Sequence, residues 1–376
     1  MTHSKHTLAA KGEHTFLVLD ALRGVAAISV TVYHFMGYMT SYKDRGLPNA
    51  DLAVDFFFIL SGFVIAYAYE KRILAGQTVG RFMTRRLIRL YPLYWLGITL
   101  PMLALTAKNY VTTHALTLSI FPMPYLFGLF FLPTPPSLLP GGEAADITTT
   151  NIFPLNHPSW SLSLEIGINL VFVLLCRYMK TPRLIAFVAA GGVAFCAASW
   201  IYGSIDLGWS WPGYIGGWAR VLWSFFMGFL LYRLYTLKKR RSISLWLGIF
   251  LAFFLLGDFA CPDDSLAYEL ANCLFILPLI VWFGARANVW KPAHRVYAWL
   301  GRTSYAIYII HMPLMPIFML AAQHLKMDPY AHIPLTVAVT TILSLAVAGV
   351  LDIIYDIPLR RYLTKVFGSR RPLPAK

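Results

Sequence analysis

Charged residues are scarce in this sequence, and acidic residues are the scarcer kind. Only 13% of the 376 residues are charged, whereas about 25% is usual in a soluble domain. Hydrophobic residues make up 58% of the chain. These proportions exclude an ordinary soluble protein and predict an all-α integral membrane protein, with one polytopic domain over residues 1–376.

Cysteine is also rare, and its spacing is not that of a metal site or a disulfide framework. The four cysteines form no CxxC pair, so we predict neither a zinc site nor a set of disulfides. The first apolar segment contains Asp20, Arg23 and His34, where a cleavable signal peptide would have an unbroken apolar region. We therefore expect this segment to remain as a membrane span.

The few charges are mostly positive, with 32 Lys and Arg against 17 Asp and Glu and a formal net charge of +15. In a soluble protein this excess would suggest nucleic acid binding. Here the cations cluster at alternate ends of the apolar segments, as the positive-inside rule produces. We expect no nucleic acid partner, contact with the lipid bilayer, and a multi-pass protein of the cytoplasmic (inner) membrane with both termini cytoplasmic.

Ten apolar segments reach the length of about 20 residues that a transmembrane helix needs. They lie at about 16–38, 52–70, 86–106, 159–179, 184–203, 214–233, 243–260, 267–284, 303–322 and 332–355. An eleventh stretch, about 115–132, is broken by Pro122, Pro124 and Pro133, which favours a re-entrant or surface segment. Residues from about 107–158 are then predicted to form a long extracytoplasmic loop.

The first span carries ionisable residues, which are costly in a membrane and usually face a protein or water-filled interior. Arg23 and His34 are eleven residues apart, so they lie on one helix face, roughly 16 Å apart along the axis. Asp20 precedes Arg23 by three residues and can pair with it. Two interpretations remain open, a functional pair of side chains or a structural ion pair with a packed histidine.

Two further groups lie near the ends of later spans. Arg86 and Arg89 share a helix face at the start of the third span and suit phosphate binding, although a basic cluster can also simply set topology. Glu165 lies roughly 10 Å into the fourth span, a depth similar to that of His34. A carboxylate beside a histidine can fix its tautomer, so contact between Glu165 and His34 is a hypothesis.

Other polar or small residues in the spans are weaker candidates for a site. They are Asp55, Ser61 and Gly62 in the second span, Trp160, Ser161 and Ser163 at the start of the fourth, and Tyr305 and His311 in the ninth. Gly62 can also serve close helix packing, and Tyr305 can anchor the helix at the membrane interface. His311 lies near the middle of its span and is harder to explain by packing.

Five stretches of this sequence, in order, resemble the acyltransferase-3 family of bacterial membrane O-acyltransferases. They are LDALRGVA at 19–26 with His34, DFFFILSGF at 55–63, RLIRLYP at 86–92, WSLSLE at 160–165 and SYAIYIIH at 304–311. The resemblance implies ten spans, an acyl donor such as acetyl-CoA from the cytoplasm, no bound cofactor, and an acceptor hydroxyl outside. It also implies that Arg23, His34, Arg86 and Arg89 are functional.

The chain departs from the family pattern at two places. The aromatic pair that commonly follows the glutamate of the WSLSLE stretch is Ile168 and Asn169 here, and a glutamate common near the end of the last span is Asp356. The first departure bears on acceptor specificity, and the second affects only a structural contact.

We therefore expect an O-acyltransferase that moves an acyl group, with acetyl the safest choice by analogy, from acyl-CoA to a hydroxyl of an extracytoplasmic glycan or lipid-linked glycan. His34 is the expected general base, with Glu165 as its orienting partner. The donor's phosphates would bind Arg86 and Arg89, and its thin arm would follow Arg23 towards His34. Direct transfer and an acyl-histidine intermediate are both open.

The main alternative is a multi-pass transporter of a lipid-linked sugar or acyl group, because intramembrane Arg, Glu and His also mark transport paths. Transporters usually show internal repeats and interrupted helices in matching positions, and the sequence shows neither. Enzyme activity is therefore favoured.

Overall fold

The fold is all-helical over the part of the chain that the structure describes. The computed structural model describes residues 16–40, 46–113, 122–139, 151–237, 246–289 and 291–368. Its α-helices are α1 Leu17–Met39, α2 Ala53–Leu74, α3 Val79–Thr113, α4 Pro122–Leu129, α5 Ser159–Leu175, α6 Thr181–Tyr202, α7 Tyr214–Leu237, α8 Trp246–Phe259, α9 Leu266–Ala271, α10 Leu277–Gly284, α11 His294–His324, α12 Ile333–Leu351 and α13 Ile357–Phe367. Single π-helical segments join α9 to α10 and α12 to α13. The predicted all-α class is confirmed.

Nine helical segments in the described ranges are long and apolar enough to cross a membrane, and they coincide with nine of the ten predicted spans. The tenth, α8, has 14 residues, or about 21 Å at 1.5 Å per residue, against a hydrocarbon core of about 30 Å. One end of α8 lies beside the first turn of α1, where Gly248 faces Val18, and the other lies beside the segment before α2, where the Phe259 carbonyl accepts a hydrogen bond from the Asn49 backbone amide. The crossing of α8 therefore stays a prediction.

The predicted outer loop starts with a helical segment. The apolar part of α3 ends at Ala107, close to the predicted end of the third span, and the helix itself continues to Thr113. The eleventh apolar stretch contributes α4, whose eight residues are too short to span. This helix packs beside α3, where the Tyr94 hydroxyl donates to the Gly128 carbonyl at 2.6 Å.

Alternate helix ends give the bundle two sides of different charge. We call the side that holds the first turns of α1, α3 and α11 the basic side, and the other the acidic side. Cations on the basic side include Lys71, Arg72, Arg85, Arg177, Arg233, Arg286, Arg302, Arg360 and Arg361. The acidic side holds Asp51, Asp206, Asp263, Asp264 and Asp328. This is the distribution that the positive-inside rule requires, and the assignment of the basic side to the cytoplasm stays a prediction.

Helices α2 and α7 touch backbone to backbone. A Cβ atom at Gly62 would lie 1.9 Å from the Phe225 carbonyl oxygen, and one at Gly228 would lie 1.9 Å from that of Ile59. Small residues allow such approach between membrane helices. Gly62, a candidate site residue from the sequence, therefore serves helix packing.

We expect Gly62→Ala to lower the thermal stability of the protein, because a methyl group cannot fit against the Phe225 carbonyl. Gly80→Ala is the matched control, since a Cβ there meets nothing within 4 Å. The melting temperatures of detergent-purified variants, read by fluorescence-detected gel filtration, test this. Equal melting temperatures for the two variants would show that the close contact is not needed.

The same helix pair is joined by a fully buried ion pair between Asp55 and Arg220. Arg220 Nε and Nη2 donate to the Asp55 carboxylate at 2.7–3.0 Å, and the Ser224 hydroxyl donates to it at 3.2 Å. Arg220 also donates to the backbone carbonyls of Asp51 and Leu207. Asp55 is thus an anchor between α2 and α7.

Candidate active site between two cavities

Three arginines predicted from the sequence meet at one cavity of about 170 Å³, which we call the inner cavity. Arg23 comes from α1, and Arg86 and Arg89 come from α3. Glu165 of α5 and Tyr305 of α11 also line it. Three guanidinium groups in one partly open cavity suit a ligand that carries phosphate groups.

Arg23 is held by three neighbours on the basic side of the bundle. Its Nη2 lies 2.9 Å from the Asp20 carboxylate and donates to the Gly301 carbonyl at 2.8 Å. Its Nε donates to the Ser304 hydroxyl at 2.9 Å. The predicted Asp20–Arg23 pair is confirmed, and it fixes the guanidinium at the junction of α1 and α11.

Glu165 does not contact His34, so the predicted pairing of these two residues is wrong. Its carboxylate accepts from Arg86 Nη2 at 3.0 Å, from the Ser61 hydroxyl at 2.5 Å and from the Asn169 amide at 3.3 Å. The depth of a residue in a span can be read from sequence, but its lateral neighbours cannot. Glu165 neutralises and orients Arg86, and Asn169 supports it from the next turn of α5.

Arg89 is less tightly held than the other two arginines. Its guanidinium is 34% exposed and lies 3.9 Å from the Asp356 carboxylate, which pairs more closely with Arg360 at 2.6 Å. It also lies 5.8 Å from the centre of the Tyr305 ring. The Tyr305 hydroxyl donates to the Leu90 carbonyl at 2.5 Å, so this tyrosine fixes α11 against α3 while it lines the cavity.

A second cavity, the outer cavity, lies towards the acidic side and has a volume of about 440 Å³. His34 lines it, together with His157 and Trp209. Val54 and Tyr308 line both cavities. The inner and outer cavities are therefore adjacent, and these two residues form part of the wall between the arginines and His34.

The ring of His34 is oriented by a second histidine. His311 is fully buried, and its Nδ1 lies 2.9 Å from the Ile307 carbonyl oxygen. That oxygen can only accept, so Nδ1 of His311 carries the proton and its Nε2 accepts when the ring is neutral. Nδ1 of His34 lies 2.9 Å from this Nε2 and therefore donates to it, which leaves Nε2 of His34 as the basic nitrogen.

Three residues at the outer cavity were missed by the sequence interpretation because they lie in loops. A polar residue is conspicuous in an apolar span but ordinary in a loop. The ring centre of His157 lies 5.5 Å from that of His34, and Trp209 stacks on His157 at 6.0 Å. Asp206 lines the same cavity. The position of His157 directly before Pro158 and the WSLSLE stretch was the one available hint.

The remaining candidates from α5 have mainly structural contacts. The Ser163 hydroxyl donates to the Phe131 carbonyl at 2.7 Å, and the Trp160 ring lies 5.6 Å from the Arg220 guanidinium. Ser161 is different, because its hydroxyl lies 2.6 Å from that of Tyr308, where the two cavities are adjacent.

Comparison with known proteins identifies the family of this chain. The family model described as an acyltransferase domain matches residues 16–352. The chain belongs to the acyltransferase-3 family. The match includes every residue of the inner cavity and the His34–His311 pair, so the arginines and histidines belong to the acyltransferase domain itself.

Two known proteins are similar to this chain in sequence. "Protein 2 in picA locus" of Rhizobium radiobacter is 36% identical over 171 residues, which are 42% of this chain and 80% of that protein. "Putative acetyltransferase ORF330" of Acidianus two-tailed virus is 24% identical over 315 residues, which are 82% of this chain and 85% of that protein. No solved structure matches the chain significantly.

For this acyltransferase we expect His311→Leu to lower the rate by about 10–100-fold, because His34 loses the acceptor that fixes its tautomer. His311→Gln should restore most of the rate, since its amide oxygen can accept from Nδ1 of His34. Acyl-CoA turnover at matched membrane abundance measures both. Equal rates for the two variants would show that His311 acts through packing alone.

Proposed function

We propose that this acyltransferase transfers an acyl group, acetyl in the first instance, from cytoplasmic acyl-CoA to a hydroxyl of an extracytoplasmic glycan. A surface polysaccharide or exopolysaccharide, free or lipid-linked, fits this role in the bacterial cytoplasmic membrane. The observation that carries the proposal is that an arginine-lined cavity and a histidine-lined cavity are adjacent at Val54 and Tyr308. Donor and acceptor can thus approach one reaction centre from opposite sides.

The inner cavity suits the donor. Arg86 is held rigidly by Glu165, whereas Arg89 is free enough to close on an anionic group. If the basic side faces the cytoplasm, as the positive-inside rule indicates, the phosphates of the coenzyme bind here and the thioester points towards Tyr308. Arg23 lies along the same path.

The outer cavity suits the acceptor and its activation. Nε2 of His34 takes the proton of the acceptor hydroxyl as the oxygen attacks the thioester carbonyl carbon. The tetrahedral intermediate then collapses, the carbon–sulfur bond breaks, and coenzyme A leaves as the thiolate. The acyl group ends as an ester on the acceptor oxygen, and the proton remains on His34 until it is passed on.

An intramembrane path lined by arginine and histidine also fits a transporter of a lipid-linked group. Family membership favours the enzyme. Purified protein in liposomes separates the two, because the enzyme releases coenzyme A from acetyl-CoA in the presence of acceptor without any substrate gradient, and a transporter does not.

The cellular test compares surface glycans from cells with the gene, with a deletion, and with the deletion complemented. We expect NMR and mass spectrometry to show a defined O-acetyl signal that disappears on deletion and returns on complementation. Unchanged glycans would exclude a surface glycan as the acceptor.

We expect Arg89→Ala to raise the KM for acyl-CoA by about tenfold with a smaller effect on kcat, since a charge-assisted contact to the donor is lost. Arg85→Ala is the control, because Arg85 lies on the same helix and does not line the inner cavity. Initial-rate kinetics in proteoliposomes measure both. The same KM in both variants would show that Arg89 does not contribute to donor binding.

A further inference from the structure

The two cavities are lined by different kinds of ionisable side chain. Arginines line the inner cavity, whereas the described residues around the outer cavity include Asp51 and Asp206 but no lysine or arginine. Within the described ranges, the Asp51 carboxylate makes no hydrogen bond or ion pair. The outer cavity therefore presents carboxylate oxygens to whatever molecule occupies it.

Arg220 lies beside the outer cavity, but another carboxylate holds it more closely. It is fully buried and forms its short contacts with Asp55, while its Nη1 lies 3.6 Å from the Asp206 carboxylate. The Trp160 ring lies beside the guanidinium and itself lines the cavity. The Asp206 carboxylate is therefore only partly neutralised by Arg220.

The wall of the outer cavity next to these carboxylates is aromatic and fixed in place. Trp209 Nε1 donates to the Asp206 carbonyl at 3.0 Å, and the Trp209 carbonyl accepts from the Ile152 amide at 3.0 Å. The Trp209 ring stacks on His157 with an interplanar angle of 30°. A flat aromatic surface beside hydrogen-bond acceptors matches a sugar ring, which has an apolar C–H face and outward hydroxyl groups.

We propose that the outer cavity binds the acceptor as an uncharged sugar ring and excludes sugars that carry a carboxylate. Hydroxyls of the ring donate to Asp51 and Asp206, and its apolar face lies against Trp209. A carboxylate on the ring would meet the Asp206 carboxylate in a partly enclosed space, and such like-charge contacts are how binding sites reject wrong partners. This inference rests on the proposed function and names the acceptor class.

The first test identifies the sugar residue that loses its O-acyl group on gene deletion, by NMR of the isolated glycan. A neutral hexose or an N-acetylated hexosamine supports the inference. A uronic acid or another anionic sugar at that position overturns it, while the proposed acyl transfer stands. If the deletion leaves every O-acyl group in place and the purified protein releases no coenzyme A in liposomes, the proposed function is overturned as well.

The second test uses matched acceptors with the purified protein in liposomes and acetyl-CoA. The methyl uronides of glucose and galactose are compared with the corresponding uronamides, which are neutral glycosides that also lack the C6 hydroxyl and differ only in charge. We expect kcat/KM for the better neutral glycoside to exceed that for its uronide by about 30-fold or more. Equal use of both members of the pair contradicts the inference.

Asp206→Asn should reduce this preference by about tenfold, mainly by improving use of the uronide. Asp264→Asn is the matched control, because Asp264 is an exposed aspartate on the acidic side and does not line the cavity. Trp209→Ala should raise the KM for the neutral glycoside with less effect on the KM for acetyl-CoA. A preference unchanged by Asp206→Asn would show that the carboxylate does not select the acceptor.

Discussion

His34→Ala should lower acyl transfer by about 10³-fold, the range that loss of a general base produces. The reason is geometric, because His311 holds Nδ1 of His34 at 2.9 Å and leaves Nε2 for the acceptor in the outer cavity. The measurement is coenzyme A release in membranes at matched protein abundance. Added imidazole should restore part of the rate by occupying the space left by the ring.

The control for this variant is His324→Ala, which removes an exposed histidine at the far end of α11. It should leave the rate unchanged. Full activity in His34→Ala would show that another group takes the hydroxyl proton, and His157 would then be the next residue to replace.

The largest effect on stability is expected at the ion pair between α2 and α7. Asp55→Leu and Arg220→Met should each destabilise the protein by about 3–5 kcal/mol, because each leaves the partner's charge buried without compensation. Both side chains are fully buried in the structure. Melting temperatures of the detergent-purified variants measure the loss.

The double variant, with both substitutions, is the decisive comparison. It should recover much of the lost stability, since no uncompensated charge remains. If the double variant melts at the temperature expected from adding the two single effects, the residues do not act as a pair.

Much of the fold could be predicted from sequence because a lipid-facing helix must be apolar over a fixed length. Nine of the ten predicted spans are found as long apolar helices. The short α8 and the continuation of α3 to Thr113 were not predictable in the same way, since hydropathy marks the apolar stretch and helix ends depend on local packing.

The inner cavity was partly predictable. Depth in the span pointed to Arg23 as a residue of the interior, whereas the functional role of Arg86 and Arg89 was predicted from the family resemblance, since a basic cluster at the end of a span can also simply set topology. The residues that lie beside each of these side chains in neighbouring helices could not be predicted. Glu165 was predicted to contact His34 because the two residues lie at similar depths in the membrane, whereas its carboxylate binds Arg86 in α3. The partner of His34 is His311, 277 positions away in sequence, and their contact depends on α1 packing along α11.

The placement of the inner and outer cavities towards opposite sides of the bundle links the proposed reaction to membrane voltage. In the proposed reaction the acceptor's proton reaches His34 towards one face of the membrane, and the thiolate departs towards the other. If that proton leaves on the acceptor's side, each turnover moves one charge through the field, with a free-energy change of about 2.3 kcal/mol per 100 mV for a full crossing. If the proton instead returns to the thiolate's side, the cycle is electrically neutral, so the dependence of the acylation rate on membrane potential reports the side on which the proton leaves.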